Sequence, residues 1–202
     1  MKDLQFTKDY VLNEISKLQY LYKLKNVIRY AQTRELEDST ESVAEHVYGM
    51  HILATYFLAQ LDKKGEWNKA RIYEMITFHD LDEIDTGDTI GYLKTETDEL
   101  NEADVKRKIV EVVPSQMQPM LLSVIDEYEK QQTIESRFVK AIDKFEPLVH
   151  IYNERGKRTL HKIKTTAQQS SSIKEPYLQE FPVMFSYYQV IHEAMINEGF
   201  FH

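Results

Sequence analysis

The chain contains no cysteine. That excludes disulfides, thiolate metal ligands and a cysteine nucleophile, and leaves histidine and carboxylates for any chemistry. Glycine and proline are scarce, at 6 and 5 of 202 residues. Both punctuate the turns between short strands, so a many-stranded sandwich or barrel is disfavoured and long helices are favoured. No apolar run approaches the roughly 18 residues of a membrane span. The opening MKDLQFTKDY lacks the apolar core of a signal peptide, so the expectation is a cytoplasmic protein with no membrane partner. An excess of positive charge is also missing: 25 Lys and Arg face 33 Asp and Glu, a net −8. Such a surface repels a phosphate backbone and argues against a nucleic acid polymer as partner. A small anionic substrate stays open if a metal supplies the positive charge.

What is present is enough apolar material for a core, with 42% hydrophobic and 11% aromatic residues, and the length suits a single domain over 1–202. The first helix is expected from Lys8 to Leu24, with Val11, Ile15, Leu18 and Tyr22 at helical spacing. After an irregular stretch, Ser42 and Glu45 form an S-x-x-E capping box, which opens a helix with Val43, Val47, Met50, Ala54, Phe57 or Leu58, and Leu61 along one seam. A third helix, Asn68 to Leu81, sets His79 on the face of Ile72, Met75 and Ile76. An amphipathic helix from Asp98 must stop at Pro114, and another runs from Met117 to Lys130. Thr133 caps a helix from Ile134 to Asn153 that is apolar nearly all round, with Val139, Ile142 and Val149 on one side and Phe138, Ala141, Phe145 and Leu148 on the other. Gly156 to Pro176 is polar and basic and reads as a surface excursion. The last helix is Val183 to Asn197. The fold class is all-α, a bundle of six or seven helices.

Three positions break these patterns. His46 lies on the seam of the capped helix, His79 and Asp80 close an apolar helix, and Asp143 sits in the helix without a solvent face. Burying titratable groups is costly unless they pair or hold a cation. A His-Asp dipeptide alone carries little, and each residue has a bland alternative, a hydrogen-bonded core His or a buried ion pair beside Lys144. One metal accounts for all of them at once. Two imidazoles and two carboxylates make a borderline N/O donor set that suits Mn, Fe, Co, Ni or Zn rather than Ca.

The order His46, His79-Asp80, Asp143 resembles the HD-domain metal-dependent phosphohydrolases. The resemblance covers about Lys23 to Glu154, which would be the HD core, with an N-terminal helix and a C-terminal helical extension. The motifs Glu41-Ser-Val-Ala-Glu-His46, His79-Asp-Leu-Asp-Glu83 with Gly87-Asp88, and Phe138-Val-Lys-Ala-Ile-Asp-Lys-Phe-Glu146 are similar to the 5′-deoxynucleotidase branch. The resemblance implies one divalent ion (Mn, Co, Fe, Ni, Zn or Mg) on His46, His79, Asp80 and Asp143, with Glu83 and Asp88 acting beside it. It also implies hydrolysis of a nucleoside 5′-monophosphate. Glu83 follows Asp80 by three residues, so one more helical turn would bring its carboxylate to the metal face as a general acid/base. Asp88 in the Gly87-Asp88 turn orients the nucleophile or a sugar hydroxyl, or simply forms the turn.

The sequence also departs from that branch. Ala31 and Gln32 stand where an Arg-Trp or Gly-Trp pair commonly helps to hold the nucleotide, and the one Trp is Trp67. Arg29, Arg34, Lys94 and Lys144 are the candidates for the substrate's phosphate. Triphosphate or diester hydrolysis and a non-catalytic regulator are the alternatives. Relatives of this kind are often homodimers, and Phe185, Tyr187 and Tyr188 on the last helix offer an interface.

Overall fold

The structure, a computed structural model, describes residues 7–30, 40–89, 105–106 and 108–202. Among these residues the regular elements are helical, and the extended pairing is an isolated antiparallel bridge between Ile28 and Ser42. Helix α1 (Lys8–Leu21) is capped by the Thr7 hydroxyl and runs into a 3₁₀ turn, Tyr22–Asn26. The α-form therefore ends sooner than the periodicity predicts, and Val11, Ile15 and Tyr22 are exposed rather than inward. An apolar stripe needs a facing surface, and α1 meets one at its end, where Tyr20 and Leu21 join a small cluster with Leu81, Ile109, Val113 and Leu121.

Helix α2 (Val43–Leu61) starts at the expected capping box, with Ser42 and Glu45 bonded reciprocally. The Glu45 carboxylate is thereby engaged as a cap. Helix α3 (Lys69–Phe78) is capped by Asn68 and ends with His79 at its C-cap. The chain turns through 79–82 before the short α4 (Glu83–Thr86), so Glu83 does not continue the helix of Asp80 as expected. Residues 105–106 and 108–112 are helical and stop ahead of Pro114. The earlier part of that predicted helix, together with Ala31, Gln32, Arg34 and Lys94, lies outside the described residues. Then come α5 (Gln118–Lys130) and α6 (Ile134–Ile151), the latter capped by Thr133.

Helix α6 is the axis of the main core. Phe138, Val139, Ala141, Ile142, Phe145 and Leu148 are all buried, and α2, α3, α5 and the C-terminal helices pack around them. Val149, expected inward, is 48% exposed, because nothing among the described elements covers that face in the final turn.

The stretch predicted as a surface excursion is instead helical: α7 (Glu154–Lys162), α8 (Ala167–Ser172) and α9 (Glu175–Leu178). Its composition misleads because local capping and a few inward residues outweigh the polar average. Asn153 caps α7, a Thr166–Gln169 capping box opens α8, and Leu160, Thr165, Ser170 and Lys174 are buried. A Cβ at Gly156 would meet the Ile151 carbonyl oxygen at 2.0 Å, so only glycine permits this close passage from α6 to α7. With α4, these helices exceed the six or seven expected. Helix α10 (Pro182–Asn197) ends the described fold. Its Tyr188, offered above for a dimer face, is buried in the core, and Tyr187 bonds to the Tyr56 hydroxyl at 2.7 Å. Among the described residues no helix is long and apolar enough to cross a membrane.

Candidate active site

His46 is fixed one turn into α2 by the capping box, pointing at α6. Its Nδ1 lies 2.7 Å from Glu146 Oε2, and its Nε2 lies 3.3 Å from Asp143 Oδ1. His79, at the end of α3, donates from Nδ1 to the Ile76 carbonyl at 3.0 Å. A carbonyl can only accept, so His79 Nδ1 bears a proton and its Nε2 is turned inward, the arrangement that orients a metal-binding imidazole. The two ring centroids are 6.0 Å apart. His79 Nε2 lies 3.0 Å from Asp80 Oδ2, yet the angle makes no hydrogen bond and the nitrogen is a buried atom without a partner. His46, His79 and Asp143 each offer a ligand atom, all within 4.8 Å of one another. An orphaned inward nitrogen beside a second imidazole and two carboxylates fits a divalent ion of the borderline class.

Around this group lies a second layer that the sequence reading did not assign. Glu146 holds His46, and Arg29 lies 3.5 Å from Glu146, 2.9 Å from Glu41 and 3.6 Å from Asp88. Arg29 NH1 lies 2.8 Å from the same His46 nitrogen, so the guanidinium and the Glu146 carboxylate meet at that atom. His150 Nδ1 contacts Glu41 at 3.2 Å. Helix α2 leaves room for Glu146 only because residue 49 is glycine: a Cβ there would lie 2.6 Å from Glu146 Oε1. If Glu146 orients His46, Glu146→Ala should weaken metal binding roughly ten- to a hundredfold. Gly49→Ala, which displaces that carboxylate, should reproduce part of the loss. Metal titration of both variants checks this, and unchanged affinity in both would remove Glu146 from the site.

A cavity of about 600 Å³ opens beside Asp80 and Asp143 and is lined also by Glu83, Asp88 and Arg29. Glu83 is buried and its Oε2 has no partner. Burial, then the charges of Asp80 and Asp88, push its carboxyl well above the usual range, which favours the protonated form. Burial acts the same way on Asp143, but the Lys144 ammonium, the His46 hydrogen bond and Lys140 outweigh it and keep Asp143 well below the usual range. Asp88 accepts the Tyr30 backbone N–H and pairs with Arg29, tying the segment before α2 to the turn after α4.

Of the phosphate candidates, Arg29 is surrounded by carboxylates and Lys144 sits 3.0 Å from Asp143. Lys140 donates to the Tyr128 hydroxyl at 3.1 Å. Lys174, which the sequence reading passed over, is buried and lines the same cavity. Burial, with Lys144 and Arg29 adding their charge, lowers its pKa to about 7. Its sequence context, Ser172-Ile-Lys-Glu-Pro176, gives no periodic signal, so only the tertiary fold reveals it. Trp67, far from this wall, packs between Phe138 and Phe181 in the core.

The sequence matches the HD domain family over residues 21–184. The chain belongs to the HD domain family. The match spans all the elements that carry His46, His79, Asp80 and Asp143, and the α7–α9 wall besides. Among curated proteins, this HD domain is similar to the 5′-deoxynucleotidase HDDC2 of Bos taurus, 27% identical over 139 residues, or 68% of this chain and 65% of the relative. The Homo sapiens HDDC2 is 28% identical over 134 residues, covering 65% and 63%. The match thus spans slightly less than two thirds of these relatives' lengths. In three dimensions the chain resembles a predicted metal-dependent phosphohydrolase from Magnetospirillum magnetotacticum, with a TM-score of 0.75, 23% identity, and 95% and 97% of the two chains covered. An HD-domain phosphohydrolase from Listeria innocua gives a TM-score of 0.61 at 22% identity, covering 91% and 85%. At these identities the solved structures establish the shared helical fold.

Proposed function

We propose that this HD domain is a metal-dependent phosphohydrolase that converts nucleoside or deoxynucleoside 5′-monophosphates to nucleoside and phosphate. One divalent ion would be held by His46, His79, Asp80 and Asp143. The observation that carries the reading is the buried His79 Nε2, without a hydrogen-bond partner, beside His46 and Asp143, with Asp80 and Asp143 lining a cavity of about 600 Å³, a volume suited to a small organic ligand. The relatives named 5′-deoxynucleotidase support the choice of monophosphate. A divalent ion in such a site supplies Lewis-acid polarisation of a phosphoryl oxygen and activation of water.

The chain's own groups do the rest. Glu146 and the Ile76 carbonyl hold the two imidazoles in register. Glu83, favoured in its protonated form by burial and by Asp80 and Asp88, has the proton that the leaving 5′ oxygen needs as the P–O bond breaks and a water oxygen joins phosphorus. Asp88 and Arg29 fix one rim of the cavity.

The test is phosphate release by metal-stripped protein re-supplied with Mn, Co, Ni, Zn or Mg, across nucleoside mono-, di- and triphosphates. Monophosphates are expected to be hydrolysed only with metal, and a single turnover in oxygen-18 water should label the phosphate. Release of tripolyphosphate from triphosphates, or no release with any metal, would overturn the reading.

A further inference from the structure

Lys174 is a cation that the fold buries without a counter-ion. It precedes α9, is 7% exposed, and lines the cavity. The other cations on that wall have partners: Arg29 has Glu41, Asp88 and Glu146, Lys144 has Asp143, and Lys106 has Glu129 with Asp82 at 3.6 Å. Lys140 has the Tyr128 hydroxyl and, at 3.8 Å, Asp143. Lys174 forms no ion pair or side-chain hydrogen bond among the described residues. A buried ammonium without a partner is costly, and a fold that keeps one at a cavity wall has a place for an anion.

We infer that Lys174 is the anion-binding residue of the cavity, receiving the phosphoryl group of a phosphomonoester while the organic part lies in the chamber behind it, between Leu160, Ile163, Ile173 and Tyr177. The inference rests on the phosphohydrolase reading and adds to it the residue that receives the phosphoryl group. Burial, with the charges of Lys144 and Arg29, disfavours the Lys174 ammonium, and an incoming dianion supplies an opposite charge beside it.

The experiment is calorimetric binding of inorganic phosphate to metal-loaded protein, with metal content measured on every preparation. Losing one charge-assisted hydrogen bond in Lys174→Met should weaken phosphate binding by roughly ten- to a hundredfold with metal stoichiometry unchanged. Lys174→Arg should stay within a few-fold of the unmutated protein. Without phosphate, Lys174→Met should melt a few degrees higher, since it replaces a buried unpaired charge with an apolar isostere. A lysine retained only for structure would give a lower melting temperature. Phosphate affinity unchanged in Lys174→Met, or metal lost from it, overturns the inference. Phosphate release by the unmutated protein, measured separately, decides the phosphohydrolase reading itself, so the two can fail independently.

Discussion

Glu83→Ala is expected to keep its metal and its fold while kcat falls by roughly 10²–10⁴, the range for loss of a positioned acid or base. Two observations set this expectation. The Glu83 side chain lies on the cavity wall beside Asp80 and Asp88, with an oxygen that bonds to nothing, so its removal breaks no hydrogen bond at that atom. Its raised pKa means that it is replaced without leaving an uncompensated charge. Glu83→Gln, which keeps the shape but cannot deliver a proton, should be nearly as slow as the alanine variant. Substrate affinity should change little in either. Metal loss in Glu83→Ala would make Glu83 a ligand instead, and full activity in it would end the acid role.

The largest effects are expected at the four candidate ligands. His79→Ala and Asp143→Ala should lose the ion and fall to background hydrolysis, because each removes one inward donor from a group held within 4.8 Å. Both histidines are fully buried, so each alanine variant should lose stability, and His46→Ala should lose more. His46 is completely buried and bonded to Glu146, with Arg29 against the same nitrogen. Its removal leaves that carboxylate and guanidinium facing a void, a loss on the order of 3 kcal/mol. Chemical denaturation of metal-free His46→Ala and His79→Ala separates the two effects. Both should unfold below the unmutated protein, the first by the wider margin.

These expectations show what the sequence could and could not carry. Local signals were legible wherever one residue type answers one backbone need. The Ser42–Glu45 box placed the start of α2, and with it His46, and Thr133 placed the start of α6, and with it Asp143. His79 was legible because period-3.6 spacing sets it on the buried face of α3. Glu83 was anticipated by proximity to Asp80 but by the wrong route: the chain breaks at His79 and re-enters a helix at Glu83, so a turn rather than a continuous helix brings it to the cavity.

The cavity's far wall was illegible by composition. Gln168 to Ser172 looks like low-complexity surface, yet Ser170 is buried and α8 and α9 close the chamber. The T-x-x-Q box at Thr166 was the available clue. The partnership of Glu146 with His46 spans a hundred residues, and the burial of Lys174 depends on α7–α9 folding back against α6. Neither contact leaves a trace in local periodicity. In the same way Arg29, a natural candidate for phosphate on sequence grounds, is drawn among Glu41, Asp88 and Glu146 by tertiary packing.

The measurement that bears most directly on the account is metal stoichiometry and affinity, by elemental analysis and titration, of the unmutated chain, His79→Ala and Asp143→Ala. The account predicts one divalent ion per unmutated chain and loss of that ion in both variants. The same stoichiometry and affinity in all three proteins would contradict it.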